Sequence, residues 1–382
     1  MRAPLLPLLA LTTASACLAQ PNEGPAPKSP TPSYTAGVVR VDTVATGLEH
    51  PWAVAQMPDG RFLVTERPGR LRLVDQKGVI SAPIAGVPAV HAVGQGGLLD
   101  VTLAPDFATS KTLYLSFSEP GEGGTAGTAV ARAQLGERKL ENVQVIYRQV
   151  PKMRGGGHYG SRVVVARDGN LFITQGDRML WRDSAQSMTA GLGKIARVKP
   201  DGSIPADNPF VKTAGARPEI WSLGHRNLQG GALDPATGQL WTVEHGARGG
   251  DELNHPEAGK NYGWPVITYG MDYSGAKIGV GAVKEGMEQP VYYWDPVIAA
   301  SGLTFYTGDK YPGWKGSVFV GSMTPGGLVR LEVSGGKVVK EERYLGELKA
   351  KRVRDVVQGV DGFLYVVTDH DEGSLLRVVG VK

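Results

Sequence analysis

The feature that most constrains this chain is a unit that recurs about six times: a tight turn feeding a short β-rich run. Asp59-Gly60 precedes RFLVTE, Lys111 precedes TLYLSF, and Asp168-Gly169-Asn170 precedes LFITQGD. Thr237-Gly238 precedes QLWTVEHG, Lys315-Gly316 precedes SVFVGS, and Asp361-Gly362 precedes FLYVVTD. Several units continue into a second run with alternating apolar residues: RLRLVD from Arg70, IARVKPDG from Ile195, LVRLEV from Leu328 and LLRVV from Leu375. A small antiparallel sheet of this kind cannot bury both faces alone, so successive sheets must pack on one another. The pattern predicts an all-β chain, a six-bladed β-propeller with four-stranded antiparallel blades. A β-helix would need regular spacing, whereas these units are roughly 45 to 80 residues apart. The long inter-strand loops favour a propeller over a β-sandwich. A propeller also gathers its inter-blade loops at one mouth of a central channel, where residues distant in sequence converge.

The ends of the chain read differently. Arg2 precedes an apolar stretch from Leu5 to Leu11, and Ala14-Ser15-Ala16 supplies a small-residue cleavage pattern. Residues 1–19 therefore read as a secretory signal, which implies an exported, periplasmic or secreted protein. The single cysteine, Cys17, would carry a lipid anchor if cleavage fell just before it. Ala14 stands where a lipoprotein signal usually has Leu, which favours soluble export. Residues 20–36 are a Pro-rich linker, and residues 37–382 form the propeller. No further segment is long and apolar enough to span a membrane.

Four loop segments carry chemistry. In GGGHYGSRVVVARDGNLFITQGD, His158 follows three glycines and Asp177 ends the next strand, so a hairpin would return Asp177 to His158 as the orienting partner of a general base. In SLGHRNLQGGALD, His225, Arg226, Asn227 and Gln229 crowd between glycines, a set suited to an oxygen-rich planar ligand. In VEHGARGGDELNHPEAGKNYGWP, Glu244, Asp251, Glu252 and Glu257 interleave with glycines, offering hard oxygen ligands for calcium without EF-hand spacing. In KAKRVRDVV, Arg352 and Arg354 flank Val353 and share a face if the segment is extended, as an anion grip would require. Each segment alone also admits a structural reading: a turn histidine, ordinary capping residues, a solvated acidic loop, strand-edge charges.

Other chemistries lack their residues. A formal net charge of +4 over 382 residues, with no Lys and Arg run that resembles a nucleic-acid patch, argues against a nucleic-acid partner. There is no G-x-S-x-G elbow, no H-E-x-x-H, no cysteine pair, and no P-loop or dinucleotide-binding glycine spacing ahead of a helix. An exported enzyme also lacks ready access to nicotinamide, so redox activity would need a tightly held cofactor.

Seven ordered segments then resemble the soluble quinoprotein glucose/sorbosone dehydrogenase family, especially its aldose sugar dehydrogenase branch: GLEHPWAVAQMPDGRFLVTERPGRLRLV, GQGGLLDVTLAPDF, DGSIPADNPF, LGHRNLQG, GDELN, KNYGWP and KRVRD. The resemblance runs from about Val39 to the C-terminus. It implies oxidation of the anomeric carbon of aldoses to the lactone by hydride transfer to PQQ. His158 would be the general base, Asp177 its support, and Arg226 the cation that polarises the quinone oxygen. Asn227, Gln229, Arg352 and Arg354 would hold PQQ, and Gln95 would line the substrate mouth. The resemblance also maps a calcium ion to the Gly246 and Ala247 carbonyls and a structural calcium to Glu252 and the Tyr262 carbonyl, with Asp251 nearby. Thr324, in GSMTPGG, takes the place of a family lysine that contacts PQQ, and a short dimer-forming region points to a monomer. The electron acceptor is left unidentified. Two other functions compete: a calcium-dependent propeller hydrolase acting on lactones, whose mark would be carboxylates in the channel, and a non-catalytic extracellular binding propeller.

Overall fold

The computed structural model describes residues 39–381; the signal, the linker and Cys17 lie outside the described residues. Six antiparallel sheets are arranged as a propeller. Blade 1 comprises Pro51–Gln56, Phe62–Glu66 and Arg70–Val74. Blade 2 comprises Leu98–Leu103, Thr112–Pro120, Ala126–Leu135 and Leu140–Arg148, and blade 3 Gly160–Val165, Leu171–Gln175, Lys194–Val198 and Ile220–Leu223. Blade 4 runs through Leu228–Leu233, Leu240–Glu244, Asp251–Asn254 and Tyr292–Trp294. Blade 5 runs through Ala300–Phe305, Val318–Ser322, Gly326–Ser334 and Lys337–Lys349. Blade 6 takes Val353–Gln358, Leu364–Thr368 and Gly373–Val381, and its outer strand is the first strand of the chain, Val39–Leu48. Pairing of Arg40 with Gly380 and Leu48 with Gly373 therefore closes the ring with the two ends of the described chain.

The six turn-and-run units of the sequence are the second strands of the six blades. Blade 1 departs from four-strandedness: it has three strands, with an isolated antiparallel bridge from Val74 to Ile80 at its outer edge.

Packing explains the closure. The first strands of successive blades touch around the whole ring, including the last against the first. Each of the six interfaces then has its own apolar cluster. Leu63 and Leu71 of blade 1 meet Leu113 and Phe117 of blade 2. Trp241 and Val243 of blade 4 meet Val318 and Val320 of blade 5. Tyr365 and Leu375 of blade 6 meet Val54 and Phe62 of blade 1. At about 1.5–3 kcal/mol for each large side chain fully buried, these interfaces supply the favourable free energy that no single blade has alone. The channel at the centre is free to be polar. No helix among the described residues is long and apolar enough to cross a membrane.

Candidate active site

A cavity of about 220 Å³ lies on the propeller axis, and every blade contributes to it at or beside its inner strand: Trp52, Leu99, Gly160, Gln229, Ala299 and Arg354. Grooves of about 550 and 530 Å³ lie elsewhere and collect none of the candidate catalytic, cofactor or metal residues. The chemistry points to the smaller, axial cavity.

His158 sits beside this cavity, next to Tyr159 and Gly160 in its wall. The hairpin does return Asp177 to it: His158 Nδ1 lies 2.6 Å from Asp177 Oδ1. Gly176 makes the approach possible, since a Cβ there would fall 2.1 Å from the His158 carbonyl oxygen. Asp177 Oδ1 also accepts the Met179 N–H at 2.7 Å, and Oδ2 accepts the Trp264 indole N–H at 2.8 Å. Burial alone would raise the Asp177 pKa, but the bond to His158, its charge and Arg226 outweigh it and hold the carboxyl below its ordinary range. Burial, with Arg226 and Arg178 adding to it, also moves His158 down against the pull of Asp177. The pair is thus an ionised carboxylate and a neutral imidazole. An ionised carboxylate can only accept, so Nδ1 carries the proton and Nε2 is left with its lone pair.

Around the axis the other candidates form one connected chain. Arg226 donates from Nη1 to the His245 carbonyl at 3.0 Å, and its guanidinium lies 5.2 Å from the Trp264 ring. Asn227 Oδ1 accepts from the Gly160 N–H and from Gln229 Nε2, and Gln229 Oε1 accepts from Arg354 Nη1 at 3.0 Å. Arg354 in turn binds Asp369 through Nε at 3.1 Å and through Nη2. Gln95 lines the cavity, and its Oε1 accepts the His158 backbone N–H at 2.8 Å. Several buried donors in this set have no partner: Arg67 Nε, Arg226 Nε and Asn227 Nδ2.

The acidic loop divides. Gly246, Glu244, Glu252 and Tyr262 line a second, tiny cavity of about 10 Å³, about the space of one water-sized occupant. Burial first, then the neighbouring Glu244, pushes Glu252 up. Asn254 donates to both glutamates, while its own Oδ1 is buried without a partner. Glu244 and Glu252 bring two carboxylates to a cavity that Arg226 also lines. Asp251 differs from its expected role. Its oxygens accept the N–H groups of Gly246, Ile298 and Ala300, so it braces the loop. Ala247 packs among Ala185, Trp264 and Ile278. Glu257 takes no part in this cavity.

One arrangement bears on the hydrolase reading. Ser222 Oγ lies 2.9 Å from His225 Nε2, and His225 Nδ1 lies 2.9 Å from Glu244 Oε1, the order of a nucleophilic triad. Ser222 and His225 are both 0% exposed and line neither cavity, so no substrate reaches them. The axial cavity contains one carboxylate, Asp369, already held by Arg354. The carboxylate-lined cavity that a calcium-dependent hydrolase would need is therefore not this one.

With that geometry in view, comparison with known proteins is decisive. The sequence profile of the Glucose / Sorbosone dehydrogenase family matches residues 48–377. This chain belongs to that family. It is 47% identical to aldose sugar dehydrogenase YliI of Escherichia coli (strain K12) over 345 residues, 89% of this chain and 92% of the relative. A solved glucose dehydrogenase structure matches with a TM-score of 0.87 at 50% identity, over 89% of this chain and 99% of that one. The PQQ-bound form of an aldose sugar dehydrogenase from Streptomyces coelicolor matches with a TM-score of 0.74 at 28% identity, over 93% of this chain and all (100%) of that one.

Membership of the family sharpens one departure. The resemblance puts Thr324 at the cofactor, but the structure leaves Thr324 exposed and lines the cavity with Met323. Both backbone groups of Thr324 are engaged, its N–H with the Ile298 carbonyl and its carbonyl with Ser322 Oγ, and the turn they hold directs the side chain outward.

The sequence reading missed four residues that the cavity uses: Arg67, His245, Asp369 and, behind Asp177, Trp264. His245 is partly buried, and desolvation first, then Arg354 and Arg226, pushes it down to about 3. Arg67 sits in TERPGR and Asp369 in VTDHD, each just past a second strand, the same position that Asp177 and His245 occupy in their own blades. That shared position was the available signal.

Proposed function

We propose that this chain oxidises aldoses at the anomeric carbon to the lactone, as a monomer, with PQQ as bound cofactor and calcium as companion ion. The observation that carries the reading is a neutral imidazole with a bare Nε2 beside a cavity holding Arg67, Arg352 and Arg354 against one carboxylate. The residues present fit a planar tricarboxylate: three guanidinium groups, two of the buried donors without partners on Arg67 and Arg226, and the Asn227 and Gln229 amides. The Glu244 and Glu252 carboxylates would hold a calcium ion, and the Gly246 and Ala247 carbonyls would hold a second one near the cofactor. When bound, PQQ supplies a two-electron acceptor, which no side chain of this chain provides.

The protein's own part is positioning and proton transfer. His158 Nε2 takes the proton of the anomeric hydroxyl. Asp177 stabilises the imidazolium so formed and fixes its tautomer. Trp264 holds the far oxygen of Asp177, so the dyad keeps its orientation when the charge changes. Arg226 supplies a preorganised positive charge next to the dyad, where negative charge develops. Gln95, tied to the His158 backbone, is placed to bind a sugar hydroxyl through its amide N–H groups.

Reconstitution tests the reading. Purified apo-protein should reduce a redox dye with glucose and other aldoses only when PQQ and calcium are added together. Folded protein that never oxidises a sugar at any PQQ and calcium concentration would end it. Export belongs to the same proposal, and the mature N-terminus read by mass spectrometry tests it: cleavage after Ala19, or a lipidated Cys17, supports export, and an intact Met1 in a native-type host refutes it.

A further inference from the structure

Arg178 is a fully buried cation for which, among the described residues, no carboxylate is in ion-pair contact. Burying a charge costs several kcal/mol unless its surroundings compensate, so its partners should say why it is there. They all belong to the loop that presents His158. Arg178 Nη1 donates to the Gly157 carbonyl and Nη2 to the Gly155 carbonyl. Its guanidinium lies 3.5 Å from the centre of the Tyr159 ring, and its backbone N–H donates to the His158 carbonyl at 3.2 Å. One side chain thus grips residues 155, 157 and 159 around His158. The backbone is strained on both sides of this grip: φ is +48° at His158, +58° at Arg178 and +60° at Met179, the left-handed region that side chains rarely adopt. Such conformations persist only where neighbouring contacts over-determine them.

We infer that Arg178 is the positioning residue of the general base: its planar fork holds the Gly155–Gly157 loop against Tyr159 and so fixes where His158 stands. The inference rests on the proposed role of His158 but concerns a residue that touches neither cavity. The charged and titratable groups facing His158 are Asp177, Arg226, Arg178 and His245, and only Asp177 favours the imidazolium. Burial does most to keep Nε2 ready to accept a proton, and Arg226 and then Arg178 add to it against Asp177. Only arginine can fill the place. Two carbonyls and an aromatic face need a flat, five-donor group, and a lysine ammonium supplies the charge without the fork.

The experiment uses the full-length protein and two variants, Arg178→Met and Arg178→Lys. NMR titration of the His158 ring in cofactor-free protein reads the charge without requiring any activity. Arg178→Met should raise the His158 pKa and move the acid limb of kcat/KM to higher pH. Arg178→Lys should leave that pKa near the wild-type value yet lower kcat about tenfold to a hundredfold, as a misplaced base does, with KM little changed. Should Arg178→Met fail to fold, the lysine variant alone decides: wild-type kcat in a folded Arg178→Lys protein overturns the positioning role. An unchanged His158 pKa in folded Arg178→Met overturns the electrostatic role. Because the titration needs neither sugar nor PQQ, a protein without dehydrogenase activity would overturn the proposed function and leave the effect of Arg178 on His158 still measured.

Discussion

Two clusters of arginine and aspartate lie along the channel, and they balance their charges differently. In the first, Arg162 sits between Asp100 at 2.7 Å and Asp355 at 3.1 Å, all on inner strands of blades 2, 3 and 6. Every group there is committed: Asp100 accepts the Val163 N–H, Asp355 the Val54 N–H, and Arg162 also reaches the Gln229 carbonyl and stacks on Trp52. In the second, Arg67, Arg352 and Arg354 share only Asp369, at 3.5 and 3.9 Å for Arg67 and Arg352 and in close contact for Arg354. Burial first, with the two neighbouring arginines adding to it, pushes Arg67 down against the pull of Asp369. The closed cluster ties three blades together. The open one sets three guanidinium groups against one carboxylate, the surplus that the proposed cofactor site requires.

The largest effect should come from breaking the closed cluster. Arg162→Met leaves two buried carboxylates uncompensated and should cost about 3–5 kcal/mol of stability, read by denaturant unfolding. Arg354→Met, which removes one of three crowded cations, should cost far less. Equal losses in the two variants would abolish the distinction between the clusters.

Next comes chemistry beside the open cluster. His158→Ala should lower turnover by about a hundredfold or more, since a positioned base contributes roughly 10² to 10⁴, while PQQ still binds. Near wild-type turnover at saturating sugar would remove His158 from the mechanism. With the His158 pKa lowered, the wild-type acid limb should lie below pH 6.5, because the base form survives to lower pH.

The proposed cofactor site is tested by affinity. Arg352→Ala and Arg354→Met should each weaken PQQ binding by about 1.5–3 kcal/mol, the range for hydrogen bonds to charged groups. Isothermal titration into apo-protein measures it, and unchanged dissociation constants in both would reduce the trio to surface charge.

The clusters should also respond to pH with opposite signs. Burial first, with Asp100 adding and Arg162 opposing, pushes Asp355 up to about 6. A raised carboxyl binds its proton more tightly in the folded state, so its contribution to stability falls as pH rises from about 3.9 through 6. Asp369 is depressed, because Arg354 and Arg67 outweigh its burial. Its contribution is present above pH ~3.9 and is lost as pH falls below that. Asp355→Asn should flatten the upper part of the stability profile by on the order of 1 kcal/mol and leave the acid part alone. A profile in which both carboxyls act in the same direction would contradict the contrast.

The same division explains what the amino-acid sequence could reveal. The second strand of every blade is packed on both faces, as in Phe62–Glu66 and Leu240–Glu244, so each appears as an apolar run behind a turn. The inner strands were harder to recognise because the channel fills them with polar residues such as Asp100, Arg162 and Gln229. Val39–Leu48 alternates irregularly, and nothing local in it announces that it completes the last blade. His158 and Asp177 were legible because one hairpin joins them. Arg67 and Asp369 were not, because only closure of the ring brings them together, 302 positions apart in numbering.

The smallest effect concerns the residue whose expected place the structure changes. If Thr324 stood at the cofactor, Thr324→Lys would add a fourth cation to the open cluster and tighten PQQ markedly. The structure leaves this side chain exposed and lines the cavity with Met323, whose sulfur lies 3.7 Å from Arg352 Nη2. An exposed ammonium acts through water and salt, and surface substitutions of this kind stay within about 0.5 kcal/mol. Thr324→Lys should therefore change PQQ affinity by less than that amount, and the small change should vanish at high salt. Met323→Lys is the matching control. A cation inside the cavity would meet Arg352 directly, so it should lower the stability of cofactor-free protein and recover it when PQQ is added. A salt-insensitive tightening of tenfold or more in Thr324→Lys would put that side chain inside the cavity after all, and the open cluster would then extend to blade 5.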